Sequence, residues 1–310
     1  MITLLHGDCR AVLPTLPAGS VQCVITSPPY YGLRKYTDDA NEIGTEATPQ
    51  AYVAALVAVF AEVWRVLRDD GVLWVNLGDS YGRGTRVNWS GDATRGTNAH
   101  KAVTDAGSYG AAAAILPEKN LLGMPWRVAF ALQDAGWILR SDVIWSKPNP
   151  MPESVTDRPP RAHEYVFLFA KQPRYFYDAA AIAEAATHTG GGVIATPDKA
   201  ARNGQTNNGT GRTTIRSKES ATRNRRTVWT IATHPYAGAH FATMPEALIE
   251  PCILAGSRAG DTILDPFAGS GTVMRVAERF GRDAIGIDLN QDYLELQQQR
   301  TDKVQKELFT

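Results

Sequence analysis

Thr26-Ser27-Pro28-Pro29-Tyr30 sets a hydroxyl, two prolines and an aromatic ring in succession. The prolines fix backbone angles and carry no N–H, so the stretch offers carbonyls that only accept hydrogen bonds. A second stretch, Asp265-Pro266-Phe267-Ala268-Gly269-Ser270-Gly271-Thr272, lies between a strand signal and a helix signal. Gly269 and Gly271 let the backbone turn tightly and approach a ligand. The next strand ends in Gly286-Ile287-Asp288, with Asp288 lying 23 residues beyond Asp265. In dinucleotide-binding folds an acid at that place accepts hydrogen bonds from ribose hydroxyls.

Three cofactor readings compete for the second stretch. A phosphate-binding P-loop requires Lys after the last glycine, where this chain has Thr272. Nicotinamide and flavin sites usually carry a third glycine for the pyrophosphate, and it is missing here. S-adenosylmethionine has an adenosine without phosphate, together with an ammonium and a sulfonium. Asp265, at a strand tip, suits the ammonium; its plainer role is a helix N-cap. Asp8, after the first strand, suits the adenine amine or simply a turn.

The first stretch suits a nucleophile that needs acceptors. An exocyclic amine on cytosine or adenine is weakly nucleophilic because its lone pair is delocalised into the ring. Oxygens accepting its two N–H bonds favour a pyramidal nitrogen and localise the pair. The Ser27 side chain and the Pro28 carbonyl can be those oxygens. Tyr30 can stack on a base that has left the duplex. Such a transfer rests on positioning and electrostatics, and it requires neither a metal nor a covalent nucleophile. The plainer reading of Ser27 to Tyr30 is a rigid exit from a strand.

Strand–helix–strand units must position these loops. Ile2 to Leu5 and Val21 to Thr26 read as strands. Tyr52, Leu56, Val59, Phe60, Val63 and Leu67 recur at helical spacing between Gln50 and Arg68, which Asp69-Asp70-Gly71 should stop. A strand follows at Val72 to Val75, then a helix near Pro125 to Ala135. Strands at Ile138 to Trp145 and Tyr165 to Ala170 suit an antiparallel pair at a sheet edge. The last part reads as helix Pro245 to Ala255, strand Thr262 to Leu264, helix Thr272 to Phe280, strand Ala284 to Ile287 and helix Asp292 to Leu308. The intervening stretches 79–120 and 172–235 are rich in Gly, Asn and Thr and read as insertions.

The 310 residues carry 32 basic and 32 acidic side chains. The balance hides a basic run from Lys199 to Val228: Lys199, Arg202, Arg212, Arg216, Lys218, Arg223, Arg225 and Arg226 face one acid, Glu219. It suits phosphate contacts, or else a solvated loop. No apolar run reaches the ~20 residues that span a bilayer. Met1 to Arg10 reads as a strand and polar loop rather than a signal peptide, and Cys9, Cys23 and Cys252 lack disulfide or zinc spacing, which points to the cytoplasm. Cys252 and the pair His163-Glu164 read as structural, and Trp74, Trp126, Trp137 and Trp145 as core.

Taken in order, these motifs resemble the amino-methylating DNA methyltransferases, the adenine-N6 and cytosine-N4 group. Thr26 to Tyr30 is similar to the family's catalytic motif, Asp265 to Thr272 to its cofactor motif and Asp288 to its ribose ligand. Catalytic motif first and cofactor motif last is the order of the family's β subgroup. Pro125-Trp126-Arg127, Trp145 to Pro150, His163-Glu164 and Phe241 to Pro245 also match family segments. The resemblance implies S-adenosylmethionine as cofactor, with Phe241 and Thr243 beside its methionine end, and Pro266, Phe267, Gly269, Gly271 and Thr272 in its loop.

The resemblance also implies an α/β, Rossmann-like, seven-stranded methyltransferase sheet, mostly parallel with an antiparallel edge hairpin. The order is circularly permuted: the chain starts on a strand of the sheet's central half, and its last helix leads into that strand. Residues 1–173 would form the catalytic half with an insertion at about 80–118, and 234–310 the cofactor half. Residues 174–233 would recognise double-stranded DNA through Arg212, Arg216, Lys218, Arg223, Arg225 and Arg226. A cognate restriction endonuclease is the partner that such enzymes imply. Ser27 favours cytosine N4 over adenine N6, because adenine enzymes of the family often carry Asp or Asn there. Two further readings are a protein or RNA amide methyltransferase, in which the cofactor motif usually comes first, and an inactive DNA-binding regulator.

Overall fold

The structure, a computed structural model, describes residues 1–33, 42–82, 117–186, 222–233, 244–293, 295–297 and 301. The chain divides into one unit of residues 1–178 and 226–310 and a second of residues 179–225.

Apolar residues near the start form two strands, Ile2–His6 (β1) and Val21–Thr26 (β2), joined through the short helix Cys9–Val12 (α1). All six residues of β2 are buried, as expected of a strand covered on both faces. Pro49–Val66 (α2) starts at Thr48, whose hydroxyl accepts the Ala51 N–H at 3.0 Å, and it buries the expected stripe from Tyr52 to Val63. Leu67–Leu77 (β3) follows without a break. Asp69-Asp70-Gly71, expected to stop the helix ahead of a strand at Val72, lies inside this strand, the helix having ended at Val66. The register against β2 shifts there, so the extra residues are absorbed as a bulge. Gly71 fits because a Cβ would stand 2.8 Å from the Gln22 carbonyl.

Met124–Asp134 (α3) is capped by Asp79, whose carboxylate accepts the N–H groups of Gly123 at 3.1 Å and Met124 at 2.9 Å. Ile138–Ser146 (β4) and His163–Ala170 (β5) follow. In the second unit Glu184–Ala185 (β6) pairs antiparallel with Thr222–Arg223 (β7). The first unit resumes with Val228–Thr230 (β8), Glu246–Gly256 (α4), Thr262–Asp265 (β9), Thr272–Arg279 (α5) and Asp283–Asp288 (β10). Helical backbone returns at 291, and most of the expected last helix, at 294, 298–300 and 302–308, lies outside the described residues.

The main sheet has the order β1-β10-β9-β2-β3-β5-β4-β8. Every neighbouring pair is parallel except the two made by β5. Expectation and structure differ at both rims. Among the described residues the sheet has eight strands rather than seven, and the hairpin of β4 and β5 is not the edge, because β8 adds beside β4. Trp229 drives that addition by burying its ring 6.1 Å from Trp74. β1, expected in the central half, lies at the opposite rim. Among the described residues no helix is long and apolar enough to cross a membrane.

Candidate active site

Parallel pairing of β2 with β9, Cys23 to Ile263 and Val24 to Leu264, brings both motif loops to the same carboxyl edge of the sheet. In open α/β sheets that edge holds ligands. The loops are joined directly: the buried Thr26 hydroxyl donates to Asp265 Oδ1 at 2.6 Å. The Phe267 N–H donates to the same oxygen at 3.0 Å, which bends the chain after β9.

In the first loop Pro28 is buried, and Ser27, Pro29 and Tyr30 are half-buried. Tyr52 of α2 donates its hydroxyl to the Pro29 carbonyl at 2.9 Å. The Pro28 carbonyl receives no donor among the described residues. The Tyr30 ring lies on Gly78, where a Cβ would come within 2.5 Å of Tyr30 Cε2. A glycine after β3 therefore supports one side of the ring.

A polar cluster surrounds the Tyr30 hydroxyl. It donates toward Glu164 Oε2 at 2.7 Å and lies 3.1 Å from Asn76 Oδ1, and the Ser27 hydroxyl donates to it at 3.3 Å. Asn76 is buried; its Nδ2 donates to Glu164 Oε2 and to the Tyr165 carbonyl, each at 3.1 Å. Lys147 pairs with Glu164 Oε1, and its ammonium sits 4.3 Å from the centre of the Trp145 ring. β5 runs against its neighbours, so its first residues reach the edge where β2, β3 and β4 end.

The second loop is shaped by its glycines. Gly269 has φ +49° and Gly271 φ +79°, both left-handed. A Cβ on Gly271 would meet Gln297 Cγ at 2.8 Å. Gln297 Nε2 donates to the Gly269 carbonyl at 2.6 Å, while the Gly269 N–H donates to Asp288 Oδ2 at 2.6 Å. Asp288 Oδ1 accepts the Asn290 N–H at 2.8 Å. Pro266 and Thr272 are buried and Phe267 half-buried.

Asp265 and Asp288 lack a Lys or Arg partner among the described residues. Burial pushes the Asp265 carboxyl up to about 7, against the pull of Thr26 and the Phe267 N–H, and the neighbouring Asp288 adds to the rise. Burial likewise raises Asp288 to about 6, although the Asn290 and Gly269 N–H groups oppose it. A buried Asp265 and a half-buried Asp288, with no Lys or Arg beside them among the described residues, are suited to a ligand that brings a cation and hydroxyl donors.

Asp8 caps α1 through the Arg10 N–H at 2.9 Å and grips the Arg10 guanidinium with both oxygens, a turn-forming role. Arg223 pairs with Glu184 at 2.9 Å inside the second unit; Arg226 is exposed. Arg212, Arg216, Lys218, Phe241 and Thr243 lie outside the described residues. Cys252 is buried and donates to the Leu248 carbonyl at 3.3 Å. Trp74, Trp137 and Trp145 are core, and Trp126 packs on its margin. The sequence singles out neither Asn76 nor Gln297, and it gives Glu164 a place at the hairpin; the structure sets Asn76 and Glu164 beside Tyr30 and Gln297 beside Gly269. The available signal was Lys147 after one strand and Glu164 opening the next.

A Rossmann-like sheet with these two loops at one edge is the architecture of DNA methyltransferases. The solved PvuII DNA methyltransferase, described as cytosine-N4-specific, superposes with a TM-score of 0.64 at 19% identity, covering 98% of this chain and 90% of that one. A putative DNA modification methylase of Thermus thermophilus, solved with S-adenosyl-L-methionine, gives a TM-score of 0.59 at 22% identity, covering 98% and 94%. Sequence similarity is closer to the type II methyltransferases M.XycI of Xanthomonas campestris pv. cyanopsidis, 47% identical, and M.Cfr9I of Citrobacter freundii, 45% identical. Each match covers 95% of this chain and 85% of the relative. The family model for N6/N4 DNA methylases matches residues 21–299, and the chain belongs to that family of amino-methylating enzymes.

Gly78→Ala should push the Tyr30 ring off its support and lower kcat about 10- to 100-fold. Steady-state methylation by the two proteins measures this, and an unchanged kcat would show that the ring's seat is immaterial. A raised carboxyl in the folded state also makes stability depend on pH. The unfolded group ionises near 3.8 and the folded one near about 7, so ligand-free protein should lose stability relative to Asp265→Asn as pH rises between those values. Urea unfolding of both proteins at pH 5 and pH 7.5 reads the difference; a constant difference contradicts the raised carboxyl.

Proposed function

We propose that the chain transfers a methyl group from S-adenosylmethionine to the exocyclic amine of a base in double-stranded DNA, with cytosine N4 as the target. The observation that carries the reading is the 2.6 Å hydrogen bond from Thr26 to Asp265, which ties the acceptor loop to the glycine-rich loop. The carboxyls at the second loop, Asp265 buried and Asp288 half-buried with neither paired to Lys or Arg among the described residues, fit the cofactor. Asp265 would take its ammonium and Asp288 its ribose hydroxyls. Gly269 and Gly271 would let the loop backbone approach it, Pro266, Phe267 and Thr272 would complete the loop, and Phe241 and Thr243 belong to its methionine end by resemblance. When bound, it supplies a methyl group on a sulfonium, a good leaving group.

The chain's own residues do the rest. The Ser27 hydroxyl and the Pro28 carbonyl accept the two N–H bonds of the amine, which localises its lone pair and stabilises the positive charge that develops. Tyr30, backed by Gly78, offers its ring to a base taken out of the duplex. Ser27 supports cytosine over adenine, since family members acting on adenine often carry an acid or amide there. The basic run with Arg212, Arg216, Lys218, Arg223, Arg225 and Arg226 would hold DNA phosphates, with Arg223 contributing least because Glu184 already neutralises it. The type II names of the relatives support a role in shielding a site from a cognate endonuclease. Three buried thiols fit the reducing cytoplasm in which such DNA lies.

The test is incubation of unmethylated DNA with the protein and S-adenosylmethionine, followed by digestion to nucleosides and mass spectrometry. N4-methyldeoxycytidine is expected. N6-methyldeoxyadenosine instead would transfer the same mechanism to adenine, and no methylated nucleoside would overturn the reading.

A further inference from the structure

A serine hydroxyl both donates and accepts, and only its lone pairs serve an amine that must be relieved of electron delocalisation. Ser27 is useful, then, only if its proton points elsewhere. We infer that Glu164 sets the polarity of the Ser27 hydroxyl, acting through Tyr30. The inference rests on the amino-methylation reading above and adds a positioning residue to it.

The argument is a count of protons. The Tyr30 hydroxyl has one proton, and its polar neighbours include Glu164 Oε2 at 2.7 Å, Asn76 Oδ1 at 3.1 Å and Ser27 Oγ at 3.3 Å. Asn76 must present its oxygen, because its nitrogen is committed to the Tyr165 carbonyl and to Glu164. Of these neighbours Glu164 and Asn76 offer acceptors, and the shorter, charge-assisted bond, the one that takes the tyrosine proton, is to Glu164. Toward Ser27 the Tyr30 oxygen can then only accept. The Ser27 proton turns to Tyr30, and its lone pairs face the open side of the loop. Lys147 completes the arrangement by holding the other oxygen of Glu164.

Glu164→Gln keeps the shape and reverses the logic. Lys147 only donates, so it claims the amide oxygen, and the amide nitrogen is left facing Tyr30. Tyr30→Phe removes the relay and keeps the ring. Each single variant should lower kcat at least tenfold, with KM for DNA and calorimetric affinity for S-adenosylmethionine within twofold of the unmodified protein. The double variant should fall no more than twofold below the worse single one, because both changes cut one chain. Losses that multiply would mean that Glu164 serves only the hairpin, and would overturn the inference. So would a kcat for Glu164→Gln within twofold of the original. If Glu164→Gln does not fold, Tyr30→Phe carries the test, and a kcat within twofold of the original overturns it. Failure of the unmodified protein to methylate DNA would be the failure of the underlying reading, and would be recognisable as such.

Discussion

The site depends on a hydrogen bond between adjacent strands. Thr26 ends one strand and Asp265 the next, and the hydroxyl of the first reaches the carboxyl of the second at 2.6 Å. It is buried, where an unmade partner costs most, and bonds of this charged kind are worth about 1.5–3 kcal/mol. Its consequence is geometric. A loop built to accept hydrogen bonds and a loop built to approach a ligand cannot drift apart without breaking this bond, one of those that offset the burial of the Asp265 carboxyl.

The same edge receives a third contribution because one strand runs backwards. β5 lies between β3 and β4 and opposes both, with Tyr165 beside Leu77 and Glu164 beside Trp145. A parallel strand in that place would carry its first residues to the far edge. Reversal delivers Glu164 to Tyr30, while the flanking strands deliver Asn76 and Lys147. The polar cluster is thus a product of topology, its members drawn from the carboxyl ends of β2, β3 and β4 and the start of β5.

This explains what could be read from sequence. The stripe of α2, the two motif loops and the acid ending β10 are local patterns, and each was legible within about twenty residues. The place of Glu164 beside Tyr30 was not, because Tyr30 lies 134 residues away and Asn76 88 away, and only Lys147 is near in sequence. Only pairing of strands brings them together. Asp69-Asp70-Gly71 carried turn chemistry that the pull of β2 overrode, giving a bulged strand. β8 was missed because three residues are too few for any periodicity, although Trp229 anchors them. Gln297 follows the same rule as Glu164: its contact with Gly269 exists only once the end of the chain folds back over the loop.

The most direct test of the join between the loops is a substitution on the catalytic strand read at the cofactor. Thr26→Val keeps the shape and removes the hydroxyl that favours an ionised Asp265. Calorimetric titration with S-adenosylmethionine near neutral pH should show affinity weakened on the order of tenfold, the effect of losing one charge-assisted hydrogen bond. Equal affinity in the two proteins would contradict the account, since the two loops would then work independently.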